Sequence, residues 1–348
     1  MTKLPDAIPQ PEPIVSILDS GNLCISAPVN LVEACFSVPG VRALKHAFPE
    51  GKLTILCEDD RSAIWEVMPE VDQVITFPEK SSYRQIAKKI EVTGETFDAV
   101  IVWGAAEAAK AMVSLGVPKR LGYPAKELLK CLTQEISVQK KPAPIEHRVR
   151  YYLDFLKELG IDAYKRKNFA PSALESTPKT LCIGVAPASM MGASYEWPLE
   201  RFTQVVEAMN ARHNDIEWVV LGDKGNAVSK TRCEEFVDSL GDAKVHDTTE
   251  WSARSVLDEL TRCSALLACD SYTAHLAAHV GLPAAVIFGP NEPHWRRPLG
   301  KQSLVIREHV ACSPCYLSRC PLDMRCQNEI SVKQVTEELE KALSLRVS

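Results

Sequence analysis

Short, almost wholly apolar runs alternate along the chain with longer stretches in which apolar residues recur at helical spacing. The short runs predict buried strands, and the longer ones predict helices with one apolar face. Such alternation is typical of a parallel sheet with helices packed on its faces. In the first half it predicts strands at Leu23–Ala27, Leu53–Cys57, Gln73–Phe77 and Ala99–Trp103, and helices at Ala34–Ala47 and Tyr151–Leu159.

A second alternating series follows the segment Lys165–Thr180, which has prolines and small polar residues without periodicity and is interpreted as a linker. The second series predicts strands at Leu181–Ala186, Glu217–Leu221 and Ala265–Cys269, a short segment at Lys244–His246, and helices at Leu199–Arg212, Lys230–Leu240, Ser252–Cys263 and Ser331–Leu345. The stretch from Leu266 to Pro290 is interpreted as a buried strand, a polar turn, a helix and a second buried strand. Because 348 residues exceed one ordinary core, two domains are expected. The predicted fold class is α/β, with two Rossmann-like, doubly wound domains facing a central cleft. Ligands of such sheets bind outside the carboxyl ends of the strands.

The composition is that of an ordinary globular protein, with 46% hydrophobic and 24% charged residues. A formal net charge of -5 provides no electrostatic reason to expect a nucleic-acid partner. The polar, proline-rich start lacks the apolar core of a secretory signal. The most apolar window, Ala99 to Val117, contains Glu107 and Lys110, so no membrane span is expected. Twelve cysteines without a signal then indicate free thiols in a reducing, cytoplasmic compartment.

Asp270 directly follows the apolar run Ala265–Cys269 and precedes a helix predicted to begin near Thr273. A helix start after a strand presents free backbone N–H groups and a positive dipole end, which suit phosphate or sugar hydroxyl groups. An N-cap without any ligand is the alternative explanation of an Asp, Ser or Thr at this place. His275 and His279 share one helical face, where structural histidines are favoured over a metal pair.

The loop within Gly184–Phe202 follows the first predicted strand of the second half. Its small residues Ser189, Gly192 and Ser194 are suited to donate to a diphosphate, and Trp197-Pro198 marks the next helix start. The alternative is an ordinary loop whose tryptophan packs in the core. Neither GxGxxG nor GxxxxGK[ST] occurs in the chain, which disfavours a dinucleotide dehydrogenase and a P-loop enzyme.

Glu33, within "NLVEACFSVPGVRALK", falls in the predicted loop after the first strand. A carboxylate that faces the cleft is suited to act as a general base toward a hydroxyl within hydrogen-bond reach. The alternative is a solvated glutamate at a helix start.

Four cysteines cluster near the C-terminus in "CSPCYLSRCPLDMRC", namely Cys312, Cys315, Cys320 and Cys326. Four thiolates this close in sequence are suited to a tetrahedral zinc site or an iron–sulfur cluster. The C-x2-C-x4-C-x5-C spacing matches neither the paired zinc-ribbon nor the usual ferredoxin pattern, so free or redox-labile thiols are the alternative.

In their order and spacing these pieces resemble the bacterial lipopolysaccharide heptosyltransferases, the ADP-heptose transferases of glycosyltransferase family 9. The resemblance covers almost the whole chain after about residue 20. It rests on the segments "SVPGVRALKHAFPEGKLTIL", "MPEVDQVITFP", "FDAVIVW", "LGVPKRLGYP", "EHRVRYYLDFLKELGI", "EWPLERF" and "CDSYTAHLAAHVGLPAAVIFGP". The cysteine segment also looks like the tail of many second-heptose transferases.

The resemblance implies a GT-B fold with an acceptor domain at residues 14–168 and a nucleotide-sugar domain at residues 179–330. A last helix, residues 331–348, is expected to pack back on the first domain. The family chemistry requires no metal. The resemblance implies Glu33 as the catalytic residue and a donor site formed by Ser189, Gly192, Ser194, Tyr195, Gly222, Lys224, Asp270, Ser271, Tyr272, Thr273 and His275.

Three of these positions depart from the family pattern. The family's Gly-Asp motif precedes by six residues a proline that opens the next helical stretch, here Pro39, so Val32-Glu33 stands in its place. Tyr195 stands where the family has a phosphate-binding lysine, with Glu196 beside it. Tyr272 replaces the glycine of the Asp-Ser/Thr-Gly turn. Lys224 and Arg201 are candidates for the missing cation, since a leaving diphosphate requires prearranged donors or cations.

The resulting expectation is an inverting transferase that moves heptose, or a related sugar, from ADP-heptose to a lipopolysaccharide inner-core acceptor at the cytoplasmic face of the inner membrane. A lipid-linked glycan acceptor implies peripheral membrane contact. The departures favour, as an alternative, a non-catalytic or altered-specificity relative that binds a nucleotide sugar or glycan. A metal-dependent enzyme built on the four cysteines is a third hypothesis.

Overall fold

The computed structural model of the chain describes residues 21–137, 145–172, 180–222, 227–241, 243–247 and 252–347. The described strands form two six-stranded sheets in which every adjacent pair of strands is parallel. The first sheet contains β1 (Asn22–Ser26), β2 (Lys52–Glu58), β3 (Gln73–Phe77), β4 (Ala99–Val102), β5 (Lys119–Gly122) and β6 (Gln134–Glu135). The second contains β7 (Cys182–Ala186), β8 (Glu217–Val220), β9 (Val245–Asp247), β10 (Ala265–Cys269), β11 (Ala284–Ile287) and β12 (Ser303–Ile306).

Both sheets have the same strand order. The first runs β3-β2-β1-β4-β5-β6, and the second runs β12-β11-β10-β7-β8-β9, which is the same arrangement counted from the other edge. In each sheet the order reverses between the first and fourth strands along the chain, β1 beside β4 and β7 beside β10. The crevice outside the carboxyl ends of these two strand pairs is where a doubly wound sheet binds its ligand.

Helices connect the strands and cover the faces of both sheets. In the first half these are α1 (Leu31–Ala47), α2 (Ser62–Glu66), α3 (Tyr83–Thr93), α4 (Ala106–Ser114) and α5 (Arg150–Glu158). In the second half they are α6 (Leu199–Asn210), α7 (Ala227–Ser239), α8 (Ala253–Arg262), α9 (Tyr272–Val280), α10 (Pro293–Arg296), α11 (Arg325–Asn328) and α12 (Val332–Val347). None of the helices in the described ranges has the length and apolar character that a bilayer crossing needs.

The predicted doubly wound α/β fold is confirmed, and the predicted strands agree with the observed ones to within one or two residues at each end. This agreement follows from burial, because strands such as Ala99–Val102 and Ala265–Cys269 are buried along their whole length and carry uninterrupted apolar runs. The prediction missed β5, whose sequence Lys119–Gly122 begins with two charged residues, the two-residue β6 at the sheet edge, and β12, whose apolar run Leu304–Ile306 is only three residues long. The first two strands carry no apolar run to detect.

The two halves share part of their hydrophobic core. Helix α1 of the first half packs against α9 of the second, and α2 packs against α8. One buried cluster accordingly includes residues of both halves, for example Val41 and Leu44 with Leu276 and Val280. The expected linker Lys165–Thr180 contains a 3-10 turn at Arg166–Phe169, and its residues 173–179 lie outside the described residues.

Helix α12 packs on the second sheet, not on the first domain as expected. Its buried residues Val335, Leu339 and Ala342 belong to the same apolar cluster as Val205 and Trp218. The helix contacts α6 and strands β10, β11 and β12. The expectation was wrong because an apolar stripe shows that a helix face is buried, but it does not show which surface buries it.

Candidate active site

The loops at the two points of strand-order reversal face each other across the interface between the halves. The loop after β1 leads into α1, while the loops after β7 and β10 carry Ser189 and Asp270. The ring of Phe36 on α1 lies between two histidine rings, with its centroid 5.1 Å from that of His147 and 5.0 Å from that of His275. Edge-to-face packing of this kind holds α1 directly against α9.

Glu33 lies in the first turn of α1 and not in a loop. The helix begins earlier than predicted because the Asn30 side chain caps it, accepting hydrogen bonds from the N–H groups of Val32 and Glu33 at 3.0 and 3.2 Å. Pro39 therefore lies inside this helix and does not open it. The prediction placed the helix start by apolar periodicity alone and overlooked the cap.

The Glu33 carboxylate accepts three hydrogen bonds, two from Arg148, which precedes α5, and one from Tyr152 on α5. Nε of Arg148 donates to Oε1 at 3.1 Å, and Nη2 of Arg148 donates to Oε2 at 3.0 Å. The hydroxyl of Tyr152 donates to Oε2 at 2.9 Å. A carboxylate has about four acceptor positions, so one position remains on Oε1. These bonds orient Glu33 while leaving room for one more donor.

The segment that holds Glu33 is itself attached to the second half. The backbone N–H of Arg148 donates to the carbonyl of Trp295 at 2.9 Å. Nδ1 of His147 accepts from the N–H of Val149, so Nε2 carries the ring proton and donates to the carbonyl of Arg297 at 2.8 Å. The orientation of Glu33 is therefore coupled to the contact between the halves at α10.

Asp270 lies at the end of β10, with 4% of its surface exposed. Burial raises the pKa of its carboxyl group to about 6, although the Asn291 amide, which donates to Oδ2 at 2.6 Å, and the charge of Arg296 favour the ionised form. A carboxyl group at this depth, held in place by an amide, is suited to accept hydrogen bonds from sugar hydroxyl groups.

The turn after Asp270 does not use its side chains as a helix cap. Ser271 occupies the N-cap position of α9, yet its side chain makes no capping hydrogen bond, and the carboxylate of Asp270 is bonded to Asn291 instead. The Ser271 hydroxyl is buried and has no hydrogen-bond partner among the described residues. The N-cap explanation of this turn is therefore not supported, and the N–H groups near Thr273 stay available at the helix start.

Tyr272, the first residue of α9, links the start of this helix to the segment after β8. Its hydroxyl donates to the carbonyl of Gly222, at the end of β8, at 3.1 Å, and its ring belongs to the hydrophobic core. Tyr272 thus fills space and satisfies a backbone carbonyl, which a glycine at this position would not do. Lys224, which follows Gly222, lies outside the described residues.

The Ser189 loop is held against Asp270 by side-chain bonds. The Ser189 hydroxyl donates to the carbonyl of Asp270 at 2.7 Å, and the Ser189 N–H donates to Oε1 of Glu196 at 3.0 Å. Oε2 of Glu196 lies 3.3 Å from Nε of Arg232. The carboxylate beside the expected phosphate position is thus paired with a cation, which reduces its repulsion of an anion.

Gly192 and Ser194 contact the cysteine-rich segment. Gly192 has a φ of +108°, and a Cβ atom there would lie 2.5 Å from the carbonyl oxygen of Ser318, so only glycine fits. The N–H of Ser194 donates to the same oxygen at 3.2 Å. The Ser194 hydroxyl is buried without a partner among the described residues, as is that of Ser271. Buried hydroxyl groups are nearly always paired in native proteins, so these two are candidates to bond to a ligand or to water.

Tyr195 is buried beside Asp270, and the cation that acts on both is Arg296, which was not among the cations expected. Burial, with the nearby Asp270 charge, raises the pKa of Tyr195 to about 12, so its hydroxyl stays neutral. Arg201 donates to the carbonyls of Asn328 and Ile330 and therefore fastens the C-terminal segment instead. Arg296 acts electrostatically on Asp270, Tyr195 and also His275. The only sequence signal for Arg296 is its place in "HWRRP", shortly after the apolar run of β11.

The two histidines of α9 are neutral structural residues. Burial, with the charge of Arg296, lowers the pKa of His275 to about 3, and burial lowers that of His279 to about 4. Nε2 of His279 donates to the carbonyl of Ile64 at 2.9 Å, which links α9 to the first half. The structural interpretation of these histidines is favoured over a metal pair.

The four clustered cysteines are free thiols. Cys326 is buried, and burial together with the neighbouring Cys312, Cys315 and Cys320 raises its pKa to about 11. Among the described residues no three His, Cys, Asp or Glu side chains come together as a metal-binding group. Zinc or iron–sulfur at this segment stays a prediction.

Comparison with known proteins identifies the family. The family model described as glycosyltransferase family 9 (heptosyltransferase) matches residues 84–325. The chain belongs to this family. The match begins after Glu33, so it includes the loops that carry Ser189 and Asp270 but not Glu33.

Family 9 relatives resemble the chain at low identity. The lipooligosaccharide heptosyltransferase 2 of Haemophilus ducreyi is 20% identical over 293 residues, which cover 76% of this chain and 82% of that protein. The enzyme of the same name from Haemophilus influenzae is 23% identical over 126 residues, and the match spans only 36% of either chain. The structure named E. coli ADP-heptose lps heptosyltransferase II superimposes with a TM-score of 0.74 at 18% identity, covering 94% of this chain and 100% of that one. This likeness confirms the GT-B fold.

Proposed function

We propose that the protein is an inverting glycosyltransferase that moves a heptose, or a related sugar, from ADP-heptose to an inner-core acceptor of lipopolysaccharide. The observation that carries the proposal is the placement of Glu33 and Asp270 at the two facing points of strand-order reversal. A base on one half and a donor pocket on the other are the arrangement that glycosyl transfer between two substrates needs. The E. coli structural neighbour is named for ADP-heptose, which supports this choice of donor.

The donor diphosphate is assigned to the loops around Asp270. The start of α9 provides free N–H groups and a positive dipole end, the hydroxyl groups of Ser194 and Ser271 are buried without partners in the described chain, and Arg296 provides a cation. Asp270 accepts hydrogen bonds from the sugar. Arg296 thereby takes the role that a lysine has at the Tyr195 position in the family pattern.

The reaction exchanges one bond at the anomeric carbon for another. The acceptor hydroxyl donates its proton to Oε1 of Glu33, and its oxygen forms a bond to the anomeric carbon from the face opposite the diphosphate. The bond between that carbon and the β-phosphate oxygen breaks, and ADP leaves with the electron pair, stabilised by Arg296 and the α9 N–H groups. Arg148 and Tyr152 hold Glu33 so that its remaining acceptor position faces the acceptor.

The test measures ADP release from ADP-heptose with purified protein and lipopolysaccharide that lacks inner-core heptose. Glu33→Gln is expected to lower turnover by about 100-fold or more, because an amide does not accept the proton. The matched control is Glu91→Gln, an exposed glutamate on α3 that pairs only weakly with Lys88 at 3.7 Å, and it is expected to retain full turnover. Unchanged ADP release in the Glu33→Gln variant would remove Glu33 from the mechanism.

A second candidate function is a non-catalytic nucleotide-sugar or glycan binder. It is favoured by the engagement of Glu33 in three hydrogen bonds with Arg148 and Tyr152, which compete with an acceptor hydroxyl. Calorimetry distinguishes the two functions. Binding of ADP-heptose without ADP release across a panel of acceptors would support the binder and contradict the transferase.

The proposed acceptor also implies where the protein works. Inner-core acceptors are lipid-linked, so we place the activity at the cytoplasmic face of the inner membrane with peripheral contact. Co-sedimentation with vesicles that contain the acceptor lipopolysaccharide tests this placement. Equal recovery of protein with and without acceptor in the vesicles would contradict it.

A further inference from the structure

A cavity of about 690 Å³ lies between the two halves, and neither Glu33 nor Asp270 is among its lining residues. The first half contributes residues such as Val38 of α1, and the second contributes residues such as Ala278 of α9. Phe169, on the segment that connects the halves, and Leu299 add apolar surface. This volume lies in the range of pockets that bind small organic ligands.

The cavity is distinct from the proposed donor pocket, because neither Glu33 nor Asp270 lines it. Its lining runs along α9 from His275 to Gly281, whereas Asp270 precedes the N-terminal end of the same helix. With a rise of about 1.5 Å per residue, the two ends of this helix are roughly 12 Å apart. A ligand held at the Gly281 end of the cavity therefore does not occupy the donor pocket.

The charged residues that line the cavity are all basic. They are Arg42, Arg166, Lys167 and Lys301, and no carboxylate lines the cavity in the described part of the chain. Arg42 is buried, lies 3.2 Å from Oε1 of Glu70 and donates to the Ser172 hydroxyl at 2.9 Å. Arg166, Lys167 and Lys301 are exposed at the rim and form no ion pair with any described residue. An apolar interior with a cationic rim is complementary to an anion attached to an apolar body.

We propose that this cavity binds a phosphate monoester that carries an apolar group, either a lipid phosphate or a soluble aromatic or aliphatic phosphate. The phosphate contacts Arg166, Lys167 and Lys301, while the apolar group packs on Val38, Phe169 and Leu299. Because both halves line the cavity, the bound ligand stabilises their observed arrangement. The proposal is independent of the glycosyl-transfer function, since it involves neither Glu33 nor Asp270.

The test measures binding by calorimetry and thermal unfolding with three probes. These are 1-naphthyl phosphate, dioctanoyl phosphatidic acid below its micelle concentration, and inorganic phosphate. At least one of the two esters is expected to bind and raise the unfolding temperature, and which one binds identifies a soluble or a lipid source. Failure of both esters to bind overturns the proposal, as does inorganic phosphate binding as tightly as the esters, because the apolar group would then contribute nothing.

Two variants and two controls locate the binding. The double substitution Arg166→Ala and Lys167→Ala is expected to weaken ester binding about tenfold or more, because two charge-assisted bonds are lost. Ala278→Phe fills the cavity and is expected to have the same effect without a change of charge. Lys165→Ala, beside Arg166 but paired with Asp162 and outside the cavity lining, is expected to bind normally. Full displacement of the ester by ADP, or unchanged binding in both variants, overturns the assignment.

Discussion

Arg148 contacts both carboxylate oxygens of Glu33 through two nitrogens of one guanidinium group, at 3.1 and 3.0 Å. The same residue bonds through its backbone to Trp295 of the second half. The proposed base is therefore positioned by a residue that also spans the interface between the halves. Arg148 is therefore a positioning residue. Its geometric effect on Glu33 is separable, by substitution, from the effect of its positive charge.

Replacing Arg148 by lysine tests this positioning role. Lysine keeps the positive charge but has no planar fork, so Glu33 loses its two-point contact. We expect kcat to fall about tenfold or more while the KM for ADP-heptose changes little, because the donor pocket lies on the other half. Steady-state kinetics measure both constants.

Arg150→Lys is the matched control for this change. Arg150 lies on the same helix and pairs with Glu146 and Asp154 at the surface, away from Glu33. Its kcat is expected to match the wild type. An unchanged kcat with a raised KM for ADP-heptose in Arg148→Lys would contradict the positioning role.

Asp270→Asn is expected to stabilise the fold at neutral pH and to lower activity. The folded-state pKa is raised from 3.8 to about 6, so ionisation of Asp270 destabilises the folded state progressively as pH rises through this interval. Above pH 6 the whole effect is present, amounting to as much as about 3 kcal/mol. The asparagine variant avoids it and retains an acceptor for Asn291.

Denaturant unfolding of both proteins at pH 4 and pH 8 measures this effect. The variant's advantage in free energy of unfolding is expected to be largest at pH 8 and close to zero at pH 4. A difference that is equal at the two pH values would show that Asp270 is not destabilised by burial. If the stabilised variant also loses sugar-nucleotide binding, Asp270 is a residue that destabilises the fold and is needed for function.

Tyr272→Phe removes the hydrogen bond to Gly222 and leaves the ring in the core. The carbonyl at the end of β8 loses this hydrogen bond, so the free energy of unfolding is expected to fall by about 1 to 2 kcal/mol. Thermal and denaturant unfolding measure the loss. Tyr83→Phe, where the hydroxyl accepts a solvent-exposed bond from Arg84, is expected to change stability by less than about 0.5 kcal/mol. Equal stability of Tyr272→Phe and wild type would show that this hydrogen bond makes no net contribution to the free energy of unfolding.

His279→Gln is expected to reduce the loss of stability in acid. Because the folded-state pKa is lowered from 6.5 to about 4, the unfolded chain binds a proton in this interval that the folded protein does not. The wild type therefore loses stability as pH falls from 6.5 to 4, by about 3 kcal/mol from this residue. Glutamine does not titrate and is able to donate to Ile64. The free energy of unfolding of both proteins, measured at pH 7 and pH 4.5, tests this expectation. Asp270 is present in both proteins, so its contribution cancels in the difference between them.

Burial of whole strands made much of the architecture predictable from sequence. Strands such as β4 and β10 are covered on both faces, so nearly every residue is apolar and the run is visible without any knowledge of the partners. The turn after β10 was found for the same reason, because Asp270 interrupts such a run. The start of α1 was misplaced because a single cap residue, Asn30, determines it.

Contacts between distant residues were not predictable in this way. Arg148 and Tyr152 lie 115 and 119 positions from Glu33, and nothing in their local sequence indicates a carboxylate partner. Arg296, whose charge acts on Asp270 and Tyr195, was not predicted near them, and the packing of α12 on the second sheet was predicted wrongly. The local sequence pattern indicates whether a side chain is buried or charged. Which residue it contacts depends on how the sheets and helices are assembled.

By itself the sequence determined the alternation of strands and helices, the two doubly wound halves and the polar loops at their strand ends, because apolar periodicity records burial one element at a time. Only the tertiary structure decided that Arg148 and Tyr152 hold Glu33, that the Tyr272 hydroxyl bonds to the carbonyl of Gly222 after β8, and that basic residues from separate segments line one cavity. Those relationships depend on distances across the interface between the halves, which residues far apart in the chain create together.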